Sequence, residues 1–281
     1  MCPPNCLHKV CEQATRRGLL KAGFTLGVAG TAGLAGLVGV SRPAHAQMAG
    51  PITFGTISDL SHTLYEGFPT FGGERWFEME RPVTWEKDRV NLNRWTLMEH
   101  TGTHLDAPIH FSEDGMTADL IPIEDLLCPL VVIDIRAKAA EDADASLTPE
   151  DIEAWEARNG QIPEGACVAM HSGWAAHLRE PRFIGLDAEG KNHTPGFHPD
   201  AAQMLMEQRS VKGIGVDTLS LDRGIASGEF PVHYMWLGSN RWGVECLANL
   251  ETVPEAGAFI FVGGPKVEGA TGGPSRIVAL H

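Results

Sequence analysis

The chain of 281 residues predicts an α/β fold on a mixed sheet, and three observations carry that expectation. Segments with strand character and segments with helix punctuation alternate along much of the chain, which is the pattern of helices packed on a sheet. Apolar residues make up 43% of the total, enough for one sizeable core in a single large domain. Glycine (32) and proline (18) are plentiful, so many turns must separate short elements.

Taken in order, Ile52–Leu64 reads as a strand or two entering a loop, and Pro69–Trp76 as a glycine-rich turn. Val90–His100 alternates in part and reads as a strand that delivers His100. Pro129–Ile135 is a short β-branched run, the mark of a buried strand. Ser146–Gly160 is a helix by its punctuation: Thr148 at the N-cap, Pro149 in the first position, Glu150 and Asp151 in the first turn, and Asn159-Gly160 at the end. Gly165–Trp174 is a further strand. Glu180–His198 has no periodicity and reads as a long loop. Pro199–Ser210 is a second helix, Val211–Asp222 a strand leading to a polar turn, and Ala258–Gly264 and Ser275–Leu280 are late strands.

The N-terminus has a different character. Arg16 and Arg17 precede Leu19, Leu20 and Lys21, and Ala22–Val40 is apolar and free of charge. Pro43–Gln47 then offers a small-x-small cleavage pattern. This resembles a twin-arginine export signal cut after Ala46, with Leu19 where such signals often carry Phe. The expected organisation is a removed signal over residues 1–46, one domain over 47–281, and a periplasmic location without stable membrane insertion. Processing would take Lys+Arg from 22 to 17 and Asp+Glu from 36 to 35, so the formal net charge moves from −14 to −18. Such a surface repels nucleic acid and anionic membranes. Cys2, Cys6 and Cys11 would leave with the signal. Cys128, Cys167 and Cys246 sit in apolar runs, as small buried hydrophobes do.

The most informative stretch is "HTGTHLDAPIHF", His100–Phe111. As a strand it would put His100, His104, Asp106 and His110 on one side, but His100 and Asp106 would lie roughly 20 Å apart at about 3.3 Å per residue. Gly102 and Pro108 permit a bend, and a tight bent loop converging His100, His104 and Asp106 on one point is expected. Two imidazoles and a carboxylate suit Zn, Mn or Fe(II) in an open, catalytic site.

The stretch resembles the H-x-G-T-H-x-D-x-P-x-H-F signature of the metal-dependent cyclase-like hydrolases, whose members include bacterial kynurenine formamidase and isatin hydrolase. "SDLSHTL", "GIGVDTLSLD", "HYMWLGSNRWGVECLANLE" and "GGPSRIVAL" extend the likeness over roughly residues 55–280. The resemblance implies an α/β domain with a mixed, partly barrel-like sheet flanked by helices, often in homodimers or homotetramers. It implies His100, His104 and Asp106 as metal ligands, Glu245 as a further carboxylate ligand, and His233 as a histidine that helps hold a second metal. It makes His110 the catalytic acid/base and Phe71 a substrate contact. At Phe71 the formamidases usually have Trp followed by Pro-Gly-Asp, and this chain has Gly72-Gly73-Glu74. The expected activity is hydrolysis of a small amide, lactam or lactone by water activated on a divalent metal, Zn or Mn, with one or two ions per chain. The rival expectation is a periplasmic metal- or solute-binding protein with a coordinatively closed site and no chemistry. His62, His171, His177, His193 and His198 lack ligand spacing and read as structural. Asp217 and Asp222 read as turn and cap residues.

Overall fold

The computed structural model describes residues 53–281, so the expected export signal lies outside the described residues. After β1 (Ile57–Asp59) the chain makes a two-stranded arm, β2 (Phe77–Val83) and β3 (Leu92–Leu97), with the one-turn helix α1 (Trp85–Asp88) at its tip. β4 (His104–Asp106) and β5 (Leu127–Asp134) lead to α2 (Arg136–Glu141), β6 (Ser146–Leu147) and α3 (Pro149–Asn159). β7 (Cys167–His171), β8 (Gly196–Phe197), α4 (Pro199–Gln208) and β9 (Gly213–Val216) follow. α5 (Pro231–Leu237), β10 (Trp242–Glu245), β11 (Ala258–Gly263), β12 (Gly272–Pro274) and β13 (Arg276–Leu280) complete the order.

Nine strands form one sheet in the order β1-β13-β11-β5-β7-β9-β10-β4-β12. The central four, β5, β7, β9 and β10, run parallel, and the strands outside them pair antiparallel. The sheet curls strongly into a half-barrel flanked by helices. Parallel strands need both faces covered, and the side-chain alternation shows how this is met. Val131, Ile133, Val168, Met170, Ile214 and Val216 face a cluster with Ile152 and Trp155 of α3 and with Leu205 of α4. Leu130, Val132, Ala169 and Val244 face the opposite cluster with Ile260 and Ile277. Each Val, Leu, Ile or Met among them contributes about 1.5–3 kcal/mol when fully buried.

The helices obey their punctuation. At the start of α3 the Asp151 carboxylate accepts the Thr148 N–H at 2.8 Å, and Lys138 Nζ reaches the same carboxylate at 2.6 Å. The long loop after β7 is organised by short 3₁₀ turns and by β8, which pairs with β6. Trp174, Trp236 and Trp242 are core residues, all at most 2% exposed. The three cysteines of the described residues are free and buried. Among the described residues no helix is long and apolar enough to cross a membrane.

Candidate active site

Backbone register, more than a bent loop, assembles the site. β4 lies between β10 and β12, and Glu245 stands directly across from His104 while Gly243 stands across from Asp106. Directly opposed residues have Cβ atoms about 4.5–5.5 Å apart. Asp106, two residues on, shares the face of His104. The expected bend lies just upstream: Gly102 at φ 75° turns the chain so that His100 folds back over β4. The expected break after Asp106 is also present, as a 3₁₀ turn over Pro108–Phe111 that carries His110. His233 arrives from the first turn of α5.

The side chains converge closely. His104 Nε2 lies 3.2 Å from Asp106 Oδ1 and 3.4 Å from Glu245 Oε2. His233 Nε2 lies 3.1 Å from Glu245 Oε1 and 3.7 Å from Asp106 Oδ2. His100 Nδ1 lies 2.6 Å from Asp106 Oδ1. His104, Asp106 and Glu245 form one set of donors close enough for a single ion, and His100, Asp106 and His110 form a second set, with Asp106 common to both.

Three far-side acceptors set the imidazole tautomers. His104 Nδ1–H donates to the Gly102 carbonyl at 2.8 Å, and His233 Nδ1–H donates to Asp222 Oδ2 at 2.6 Å. His100 Nε2–H donates to Thr271 Oγ1 at 2.9 Å, because the Thr271 hydroxyl is itself committed to Glu99 Oε2. Each ring therefore turns its lone-pair nitrogen toward the carboxylates of Asp106 and Glu245. Lone pairs facing carboxylates repel unless a positive charge sits between them. His104 Nε2 and Asp106 Oδ2 are also buried without a hydrogen-bond partner among the described residues. Mixed imidazole and carboxylate donors, backed by oriented outer partners, fit a divalent cation of the Zn or Mn type.

Without a cation, a proton takes its place. Burial works against a charged His104, but Asp106 and Glu245 outweigh it and push the imidazole up to about 9 in the metal-free chain. His233 is likewise raised against its burial, by Asp106, Asp222 and Glu245. Burial would raise Asp106, yet the surrounding histidines, His104 foremost, hold it well below the usual carboxylate range. Burial and the nearby Asp106 push Glu245 up. His110 differs: burial, reinforced by the neighbouring imidazoles and only partly opposed by Asp106, lowers it to about 4.

A cavity of about 510 Å³ opens over these groups. Phe71, Trp76, Leu97, Phe111, Leu219 and Phe230 line its apolar walls, and His100, His104, His110, His233 and Glu245 line its polar floor. Phe71 and Phe230 pack with ring centroids 5.7 Å apart. All seven site residues expected from the sequence therefore meet in one place.

Three further residues of the site were not among them. Asp222 accepts the Val232 and His233 N–H groups at 2.7 and 3.0 Å besides the His233 ring, so its cap role also fixes an imidazole. Glu99 and Thr271 back His100. Position next to His100 is the one signal that could have pointed to Glu99, and nothing local marks Thr271, which comes from the other end of the chain. The remaining histidines lie outside the cavity lining: His177 pairs with Glu180, His193 with Asp144 and Asp187, and His198 caps α4. Asp217 holds the turn after β7 through Ser172 and Trp174.

Fold and site together define a metal-dependent hydrolase. Residues 58–223 match the family described as putative cyclase. The chain is 38% identical over 197 residues to isatin hydrolase of Roseibium aggregatum, covering 67% of this chain and 74% of that protein. The structure of isatin hydrolase A from Labrenzia aggregata bound to benzyl benzoate superposes with a TM-score of 0.76 at 36% identity, covering 80% of this chain and 93% of that one. A potential metal-dependent hydrolase with cyclase activity superposes with a TM-score of 0.62 at 25% identity over 80% and 97% of the two chains. The chain belongs to the cyclase family of metal-dependent hydrolases.

Proposed function

We propose that this hydrolase opens the C–N bond of a small aromatic lactam or related amide, of which isatin is the first to test, with a lactone ester as the variant substrate. The observation that carries this reading is the union of the two halves of the cavity: a floor of convergent imidazoles and carboxylates under a wall of aromatic rings. Phe71, Trp76 and Phe230 offer an apolar wall for a flat ring beside the polar floor. An open cavity of this size also separates the site from the coordinatively closed one that a pure metal-binding protein needs.

His100, His104, Asp106 and Glu245 would hold a first divalent cation, Zn or Mn, and His233 would help hold a second. A bound cation of this kind polarises a carbonyl and lowers the pKa of water to about 7. His110 would take a proton from water as its oxygen joins the carbonyl carbon, and would return it to the departing nitrogen. One feature fits that role better than ligation. The His110 ring lies nearly parallel to His100, with centroids 3.6 Å apart and planes 17° apart, so the in-plane lone pairs of the two rings run side by side and do not converge.

We place the processed chain, residues 47–281, in the periplasm as a homodimer or homotetramer, reached by twin-arginine export. That route carries folded protein, so the metal can be loaded before export. The test is purified protein assayed by mass spectrometry for metal and by absorbance for isatin ring opening, alongside a panel of lactams, formamides and lactones. Stoichiometric Zn or Mn with turnover of a ring amide supports the reading. Full metal occupancy with no turnover across the panel contradicts it.

A further inference from the structure

The turn from β3 to β4 brings a second carboxylate to the cavity. Two acids line it, Glu245 and Glu99. Glu245 faces the imidazole lone pairs and belongs to the cation set. Glu99 stands outside that set, flanked by Leu97 and Met98, which also line the cavity. One of its oxygens is committed: Oε2 accepts the Thr271 N–H at 3.2 Å and the Thr271 hydroxyl. Oε1 has no partner among the described residues and is not sealed away from the cavity. No Lys or Arg lines the cavity to pair with it. A ligand that displaces water from this oxygen must therefore supply a donor in its place, or leave a polar group unpaired against apolar walls.

We propose, building on the lactam reading, that Glu99 Oε1 accepts the N–H of the ring amide, so that the site selects an N–H lactam over a lactone or an N-alkylated lactam. An ionised carboxylate can only accept hydrogen bonds. An N–H facing Oε1 is paired, whereas a ring oxygen sets acceptor against acceptor and an N-methyl group leaves Oε1 without a donor. A site built around a substrate N–H rejects the analogue that lacks it far more strongly than a difference in shape alone allows. Position agrees. His110 stacks on His100, and His100 Nε2 reaches Thr271 and through it Glu99. The group that returns a proton to the departing nitrogen and the acceptor of that nitrogen's own N–H thus lie along one connected side of the floor. Glu99 takes no proton in this scheme. Its hydrogen bond holds the nitrogen, which keeps its hydrogen, gains the second from His110 as the C–N bond breaks, and leaves as an amine.

Titration calorimetry on protein loaded with Zn or Mn tests this with two ligands of one shape: oxindole, a lactam with a ring N–H, and indan-2-one, with CH₂ in its place. The wild type should bind oxindole about 10–100-fold more tightly. Glu99→Gln separates the contact from a structural role. The glutamine carbonyl can still accept the Thr271 N–H, which fixes the side-chain amide so that its NH₂ replaces Oε1. The acceptor becomes a donor, so oxindole affinity should fall until the two ligands differ by about threefold or less. Affinity for indan-2-one, metal content and melting temperature should be kept. In turnover the variant should lose more for isatin than for N-methylisatin. A wild type that binds the two ligands alike overturns the proposal, and this ratio serves as the test even if Glu99→Gln fails to fold. So does a variant that loses affinity for both ligands equally, the mark of a residue that only steadies Thr271 and His100. Absence of isatin turnover contradicts the proposed function alone, because the binding ratio needs no chemistry.

Discussion

At the scale of single residues the site turns on which nitrogen of each imidazole faces inward. Asp222, Gly102 and Thr271 make that choice for His233, His104 and His100. Asp222→Asn removes the charge behind His233 and frees the amide to present the wrong group, so metal affinity should fall about 10–100-fold with the fold intact; titration against a competing chelator measures it, and unchanged affinity would show that the carboxylate is only a helix cap. His104→Ala should lose both metal and turnover. His110→Ala should keep its metal and lose about 10²–10⁴ in turnover; metal loss equal to that of His104→Ala would make His110 a ligand instead. The raised His104 also fixes a sign. Its metal-free imidazole, at about 9, carries a proton at pH 7.5, and coordination requires the neutral ring. Metal binding should therefore release protons and tighten as pH rises toward 9. Calorimetry in buffers of different ionisation enthalpy reads this directly, and a binding heat independent of buffer would contradict it.

At the scale of elements, β12 is the tightest fit in the site. A Cβ on Gly272 would sit on the Leu105 carbonyl oxygen and 2.8 Å from His100 Cε1. Gly272→Ala must push β12 off β4 and tilt His100. Overpacking of this kind costs about 1–3 kcal/mol, and each kcal/mol is worth roughly 2–4 °C of melting temperature at this size. Scanning calorimetry should show the loss together with weaker metal binding, and a variant as stable as the wild type would place β12 further away than described. Elements also show what the sequence disclosed. The helix at Pro149–Asn159 was legible because its cap, first-turn acids and terminal Asn-Gly are local signals. The strand around Val131 was legible from its β-branched run, Val131 to Ile133. β10, β12 and α5 were not, because Glu245, Gly272 and His233 sit in short elements of three to seven residues whose order is imposed by pairing with distant strands. β2 was missed because its alternation is carried by exposed residues.

At the scale of the whole molecule, the half-barrel brings together donors from three distant parts of the chain: His100 to His110, Asp222 to Glu245, and Thr271. The even-numbered parity of His104 and Asp106 was visible in one short motif. Glu245 entered only through the family resemblance, since the β4–β10 register alone sets it beside His104. Beyond the described residues, replacing Arg16 and Arg17 together by Lys should leave full-length precursor in the cytoplasm, and normal export of that variant would rule out the twin-arginine route. The most direct test of the account is anomalous diffraction from crystals grown with Mn or Zn. It should show a peak about 2.0–2.3 Å from His104 Nε2 and from carboxylate oxygens of Asp106 and Glu245. A fully loaded protein whose metal lies elsewhere, with these three side chains still bonded only to one another, would contradict it.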